Sequence, residues 1–128
     1  MQRVRAAYLA LARRDTDALL DLMDPAVEFH NPDYAMETGV RRGHDGVRAA
    51  LQSGWEVMEE IRFDVERIVD GGDVIVVVGR SRAVGRTGGV PVEAPFGHVL
   101  EIRGDKAIRI AWFQDHAEAF AAAGLSDR

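Results

Sequence analysis

His30, Asn31 and Asp33 cluster around Pro32, and their side chains are of the kinds that move protons or orient a substrate. Histidine alone has an unshifted pKa near neutrality, so His30, or His98 further along, is the natural acid or base. The Asn31 amide could orient a ligand carbonyl or a water. The competing reading is structural: Asn-Pro opens loops well, and a histidine on an apolar strand commonly serves as hydrogen-bonded framework. Arg80 and Arg82 lie two apart in a strand-like run and must share a face. Their guanidinium forks would suit an anionic or carbonyl-rich ligand; otherwise they pair internally with Asp33, Glu93, Glu101 or Asp115. Tyr8 is the best phenol donor, because a buried tyrosine seeks a partner. Trp55, Met58 and Phe63 offer an apolar and aromatic lining, and Trp112 and Gln114 join it by alternation on the last strand. Core packing is the ordinary role of such residues.

The catalytic candidates are therefore Asn31, Asp33, His30, His98 and Arg80. The ligand-binding set is Tyr8, Asn31, Trp55, Met58, Phe63, Arg80, Arg82, Trp112 and Gln114. No metal site is expected, because His44 with Asp45 and His116 with Glu118 lack an i, i+4 ligand pair or a carboxylate cluster. No cofactor is expected either, since Gly85, Gly88 and Gly89 serve turns with no helix following to receive a phosphate.

The chain that must position these groups has 128 residues, one domain's worth over 1–128. It has no cysteine, which excludes disulfides and thiolate chemistry. The net charge of −5, with scattered basic residues, argues against a nucleic-acid partner. Apolar runs such as Val74–Val78 are far short of the roughly 20 residues that span a bilayer. Met1–Arg5 lacks the apolar core of a signal peptide. A cytoplasmic protein with no membrane partner is the expectation.

Val4, Ala7, Tyr8 and Leu11 recur at helical spacing and predict a helix over 2–13. Asp15 predicts an N-cap for a second helix through Met23, ended by Pro25. A short strand follows at 26–30, then a polar loop from 31 to 43. Val47, Ala50, Leu51, Gly54, Trp55 and Met58 predict a third helix. Beyond residue 60 the period becomes 2, with Ile61, Phe63, Val65 and Val69 on one face. Turns at 70–73, 87–89 and 104–105 divide a meander with strands near 74–86, 90–103 and 106–114. Asp115 and Glu118 suggest a capping box for a last helix, closed by Gly124. Helices followed by an antiparallel meander make an α+β layout.

Residues 8–23 (YLALARRDTDALLDLM), 27–32 (VEFHNP), 42–47 (RGHDGV), 89–95 (GVPVEAP) and 112–125 together resemble the NTF2-like superfamily, its SnoaL-like and ketosteroid-isomerase-like members in particular. The resemblance implies an NTF2-like cone: three N-terminal helices on a curved antiparallel sheet enclosing a pocket. It also implies frequent dimers through the outer sheet face. Matched to the ketosteroid isomerases, the base position carries Asn31 before Pro32, the oxyanion-hole acid position carries Gly97, and the first-helix tyrosine falls at Ala7 or Tyr8. An amide cannot take a proton from carbon, so steroid isomerisation is not expected. Matched to limonene-epoxide-hydrolase-like proteins, the pocket positions are Phe29, Asn31, Arg80, Arg82 and Trp112, and both carboxylates are lost. Both registers turn Arg80 and Arg82 inward and His30 and His98 outward, unless a bulge swings His98 in.

The functional expectation is a small-molecule-binding domain. Its reaction would be cofactor-free acid–base chemistry of isomerase, cyclase or hydrolase type on a small, apolar, oxygenated substrate such as a polyketide or terpenoid. The alternative is a non-catalytic ligand-binding or dimerisation module. A homodimer is expected through an outer face formed by Ala107, Arg109, Ala111 and Phe113 with Phe96, His98, Leu100 and Ile102, centred on Phe113 and Leu100.

Overall fold

A computed structural model describes residues 2–35 and 39–126. The elements run α1 (Gln2–Ala12), α2 (Thr16–Leu20), β1 (Met23–Asn31), β2 (Gly39–Arg42), α3 (Gly43–Val57), β3 (Met58–Asp70), β4 (Val74–Gly85), β5 (Pro91–Arg103), β6 (Lys106–Phe113) and α4 (His116–Ala123). The six strands form one curved, open sheet in the order β2-β1-β6-β5-β4-β3. All neighbours are antiparallel except β1 and β6, which run parallel. This is the α+β class expected. Among the described residues, no helix is long and apolar enough to cross a membrane.

Local chemistry explains the boundaries. Asp15 caps α2 by accepting from the Ala18 amide at 3.1 Å, and Asp115 caps α4 by accepting from the Ala117 amide at 2.7 Å. Gly124 (φ 68°) closes α4, with the Leu125 amide donating to the Phe120 carbonyl. Glu118 does not complete a capping box; its carboxylate accepts from the Tyr34 hydroxyl at 3.2 Å. Helix α2 stops at Leu20, not Met23, and Met23 instead opens β1. Pro25 falls where β1 shifts register against β6, a place where a missing N–H costs no ladder bond. The span expected as loop contains β2, paired to β1 from Glu28–Arg42 to Asn31–Gly39.

The sheet is covered on both faces. On the concave face, α1, α2 and α3 pack Ala10, Leu19, Leu20 and Val47 against Met23, Val27 and Ala107, with Phe29 and Ile110 alongside. Next to this cluster, Val4 of α1 packs with Ile75, Val77 and Phe96, flanked by Tyr8, Phe63 and Leu100. On the opposite face, α4 sets Ala119 and Phe120 on Val76, Val78, Val99 and Ala111, with Phe113 beside them.

This arrangement reverses one expected register. Strand β4 pairs with β5 without interruption from Val74–Glu101 to Val84–Pro91. Ile75, Val77, Gly79, Ser81 and Ala83 therefore face the concave side, while Val76, Val78, Arg80 and Arg82 face the other. Phe96, His98 and Leu100 lie on the concave side, and Gly97 faces α4, where a Cβ would stand 2.5 Å from that of Ala119. The apolar strip from which an outer-face dimer was expected is thus divided between the two faces. Phe113 packs beside α4 and Leu100 faces α1. Two bulges complete the correction. In β3, the ladder skips Glu66, so Ile68 stays concave while Val69 crosses over to α4. Between β5 and β6, Ile108 is skipped, which turns Ala107 inward.

Candidate functional site

Tyr8 from the middle of α1 and His98 from β5 meet on the concave face, with Oη and Nδ1 2.5 Å apart and the rings stacked at 10°. Phe63 and Phe96 surround the pair, their centroids 5.3 and 4.7 Å from the imidazole. Burial lowers His98 from its ordinary 6.5 to about 4, and burial raises the Tyr8 phenol well above its ordinary range. Both groups are therefore neutral at physiological pH. When Nδ1 is bare, the phenol donates to it and Nε2 carries the proton. When Nδ1 carries the proton, it donates to Oη, which frees the phenol proton and leaves Nε2 bare.

The other histidines are held elsewhere. The imidazole of His44 meets the Met23 carbonyl at 3.0 Å, and that of His116 meets the Gly79 carbonyl at 2.9 Å. His30 sits on the outer side of β1 and binds Glu28 at 2.9 Å. Its bond, and then that of Arg42, holds the Glu28 carboxyl below its usual range. Only His98 has a phenol for a partner.

Across from His98 stands Trp112, its direct neighbour on β6. The Trp112 indole N–H donates to Asn31 Oδ1 at 2.8 Å, which brings Asn31 into the same row. Tyr34 packs edge-on against that indole at 6.4 Å, accepts from the Gln114 amide at 2.8 Å and donates to Glu118. Tyr34 fell in the span read as a polar loop, where a lone aromatic was the only signal for it.

The remaining candidates separate from this row. Arg80 and Arg82 point away from the concave face, Arg82 towards Glu93 at 3.7 Å. Asp33 is exposed in the turn after β1, and Gln114 is exposed and contributes its backbone amide. Trp55 packs under the Arg14 guanidinium, 5.7 Å from the ring centroid, at the junction of α1 and α3. Met58 lines a groove of about 380 Å³ with Ala83, Gly85, Thr87, Gly88, Val90 and Val92. That groove lies on the concave face but six residues along β4 from Val77, the cross-strand partner of His98, which is about 20 Å at strand rise. Its lining has no acid or base, so Tyr8–His98 is the better candidate for chemistry. Among the described residues, no group of three or more His, Asp or Glu could hold a metal.

The comparisons agree with this architecture. A model of the SnoaL-like domain matches residues 4–110. An NTF2-like protein of unknown function from Burkholderia pseudomallei K96243 is 29% identical, with a TM-score of 0.82 over 96% of this chain and 95% of that one. TerC, co-crystallised with polyporic acid, is 26% identical, with a TM-score of 0.81 over 95% of each chain. An NTF2-like protein from Burkholderia thailandensis E264 is 26% identical, with a TM-score of 0.80 over 98% of this chain and 96% of that one. No curated protein matches. With a family match over most of its length and the sheet and helices of that fold, the chain belongs to the SnoaL-like domain family of NTF2-like proteins.

Proposed function

We propose that the concave face binds a small, largely apolar ketone and that Tyr8 and His98 catalyse its enolisation without a cofactor, as a step of isomerisation or cyclisation. The observation that carries this reading is the 2.5 Å contact between two half-buried, neutral, titratable groups. Burial penalises imidazolium and phenolate alike, so a reaction that forms neither ion suits this pair. With Nε2 bare, it takes a proton from the carbon next to the carbonyl. The Tyr8 phenol gives its proton to the carbonyl oxygen, and Nδ1–H returns one to Tyr8. The substrate ends as its enol and the pair ends in its other tautomer, with no net proton gained or lost. Reversal at a different carbon, or attack by the enol carbon within the same molecule, gives the isomer or the ring. The co-crystallisation of TerC with polyporic acid supports a small-molecule role for this fold at this level of similarity.

Exchange of deuterium from D2O into 2-tetralone, followed by NMR, tests the proposal. The protein is expected to accelerate exchange, and Tyr8→Phe and His98→Leu are each expected to lower that acceleration on the order of a hundredfold. Exchange no faster than in buffer, or equally fast in both variants, would refute it.

A further inference from the structure

Arg86, at the tip of the β4–β5 hairpin, is bound to the far end of α3. Its backbone N–H donates to the Val57 carbonyl at 3.2 Å, and its guanidinium donates to the Trp55 and Glu56 carbonyls at 3.1 Å each. The last turn of α3 has no basic residue of its own, so these carbonyls take their donors from elsewhere in the chain. Arg14, held at φ 55°, adds a bond to the Glu59 carbonyl at 3.0 Å. The junction of α3 and β3 is thus fixed against the hairpin, and the groove of about 380 Å³ lies there. Two cross-strand pairs line it, Ala83 with Val92 and Met58 with Gly85. Thr87 brings one hydroxyl, and the lining has no charged side chain. Three of the large hydrophobic residues left exposed gather at this corner: Val90 (74%) and Val92 (62%) in the lining, and Val57 (61%) at the end of α3.

We propose that this groove is a preformed binding site for a neutral, mainly hydrocarbon molecule of one or two rings. It stands apart from Tyr8 and His98 and does not rest on the enolisation reading. Its volume lies near the low end of the range of about 300–1,000 Å³ for small-molecule pockets. A protein partner would need an interface of roughly 1,000 Å², whereas a corner of this kind offers apolar surface on the order of a few hundred Å². Size therefore selects a small molecule over a second protein surface. Charge selects a neutral one. An acid or an amine would bring a charge that the lining leaves unpaired, and Arg14 and Arg86 already direct their guanidinium N–H groups to backbone carbonyls. Covering Val90 and Val92 takes apolar surface out of water, which is the driving force. Walls already clamped by Arg86 lower the cost of ordering them on binding.

The probe is N-phenyl-1-naphthylamine, which is neutral and brightens on leaving water, titrated into the whole chain by fluorescence and by methyl-detected NMR. Saturable one-to-one binding is expected, with the largest shifts at Met58, Ala83, Val90 and Val92. The sulfonated counterpart, 8-anilino-1-naphthalenesulfonate, should bind about tenfold more weakly or worse, because its charge finds no partner in the lining. Val90→Asp and Val92→Asp change side chains that are exposed in the free protein, so both variants should keep the fold. Each should weaken the neutral probe by about tenfold, since the ligand would then desolvate a carboxylate. Leu9→Asp makes the same kind of change at an exposed residue of α1 and should leave the affinity unaltered. Absence of saturable binding, shifts centred on Tyr8, Phe63 and His98, or tighter binding of the sulfonate would overturn the proposal. So would Val90→Asp and Val92→Asp that bind as the wild type does, or a Leu9→Asp that binds as weakly as they do. Exchange of 2-tetralone by Tyr8 and His98 is measured separately, and its outcome leaves the groove untouched.

Discussion

Gly79→Ala is expected to destabilise the protein by about 3 kcal/mol or more, at the top of the range for overpacking. A Cβ on Gly79 would lie 2.0 Å from the Asp64 carbonyl oxygen and 2.9 Å from a ring carbon of Phe96. The first of these neighbours is backbone, so relief requires β3 to move away from β4 and cannot come from a rotamer change. The cause is the bulge at Glu66, which begins one residue beyond the Val65–Gly79 pair and swings β3 across the strand beside it. Moving β4 would also disturb the Gly79 carbonyl that His116 binds from α4. The same substitution at Gly85, on the same strand, meets nothing closer than 3.6 Å and should change stability by less than about 1 kcal/mol. Urea denaturation of both variants measures the contrast. Similar midpoints would show that β3 and β4 are not this close.

The second large effect concerns acid. The unfolded chain protonates His98 near its ordinary 6.5, while the folded chain resists protonation down to about 4. Between these values the unfolded state holds the extra proton, so stability falls as the pH drops through this window and then levels off. A shift of this size corresponds to about 3 kcal/mol. Other groups act in the same direction, Glu28 among them, so the contribution of His98 must be isolated by comparison. Tyr8→Phe with His98→Leu removes both partners together and strands neither polar group. The double variant is expected to lose about 3 kcal/mol less than the wild type between pH 7 and pH 4, by denaturant titration at each pH. Parallel pH profiles would mean that His98 titrates normally.

Much of the fold could be read in the residues, and the reasons for the failures are physical. The helical spacing of Val4, Ala7, Tyr8 and Leu11, the caps Asp15 and Asp115, and the turns around Gly72, Gly88 and Gly104 act locally, and each lies where expected. The facing of β5 was not local. Phe96, Gly97 and Val99 are all buried, because α1 covers one face and α4 the other, so no polar alternation marks which side is which. Register then hung on matched family positions, and a slip of one residue exchanges the faces of every side chain. That slip carried His98 outward and Arg80 and Arg82 inward on paper, the reverse of what the strands do. Asn31 and Trp112 were both recognised, but the bond joining them spans 81 residues and depends on the parallel β1–β6 pairing, which no local pattern encodes.

The central claim is that Tyr8 and His98 form a neutral, hydrogen-bonded pair on the concave face. The direct measurement is an NMR pH titration of the His98 imidazole with ¹⁵N and ¹³C labelling, in the wild type and in Tyr8→Phe. The predicted wild-type result is a midpoint near pH 4, with ¹⁵N shifts of a neutral ring and Nδ1 hydrogen-bonded. In Tyr8→Phe, the Nδ1 shift should move to that of a ring nitrogen without this partner. A wild-type midpoint near 6.5, or an Nδ1 signal indifferent to the loss of the phenol, would contradict the account.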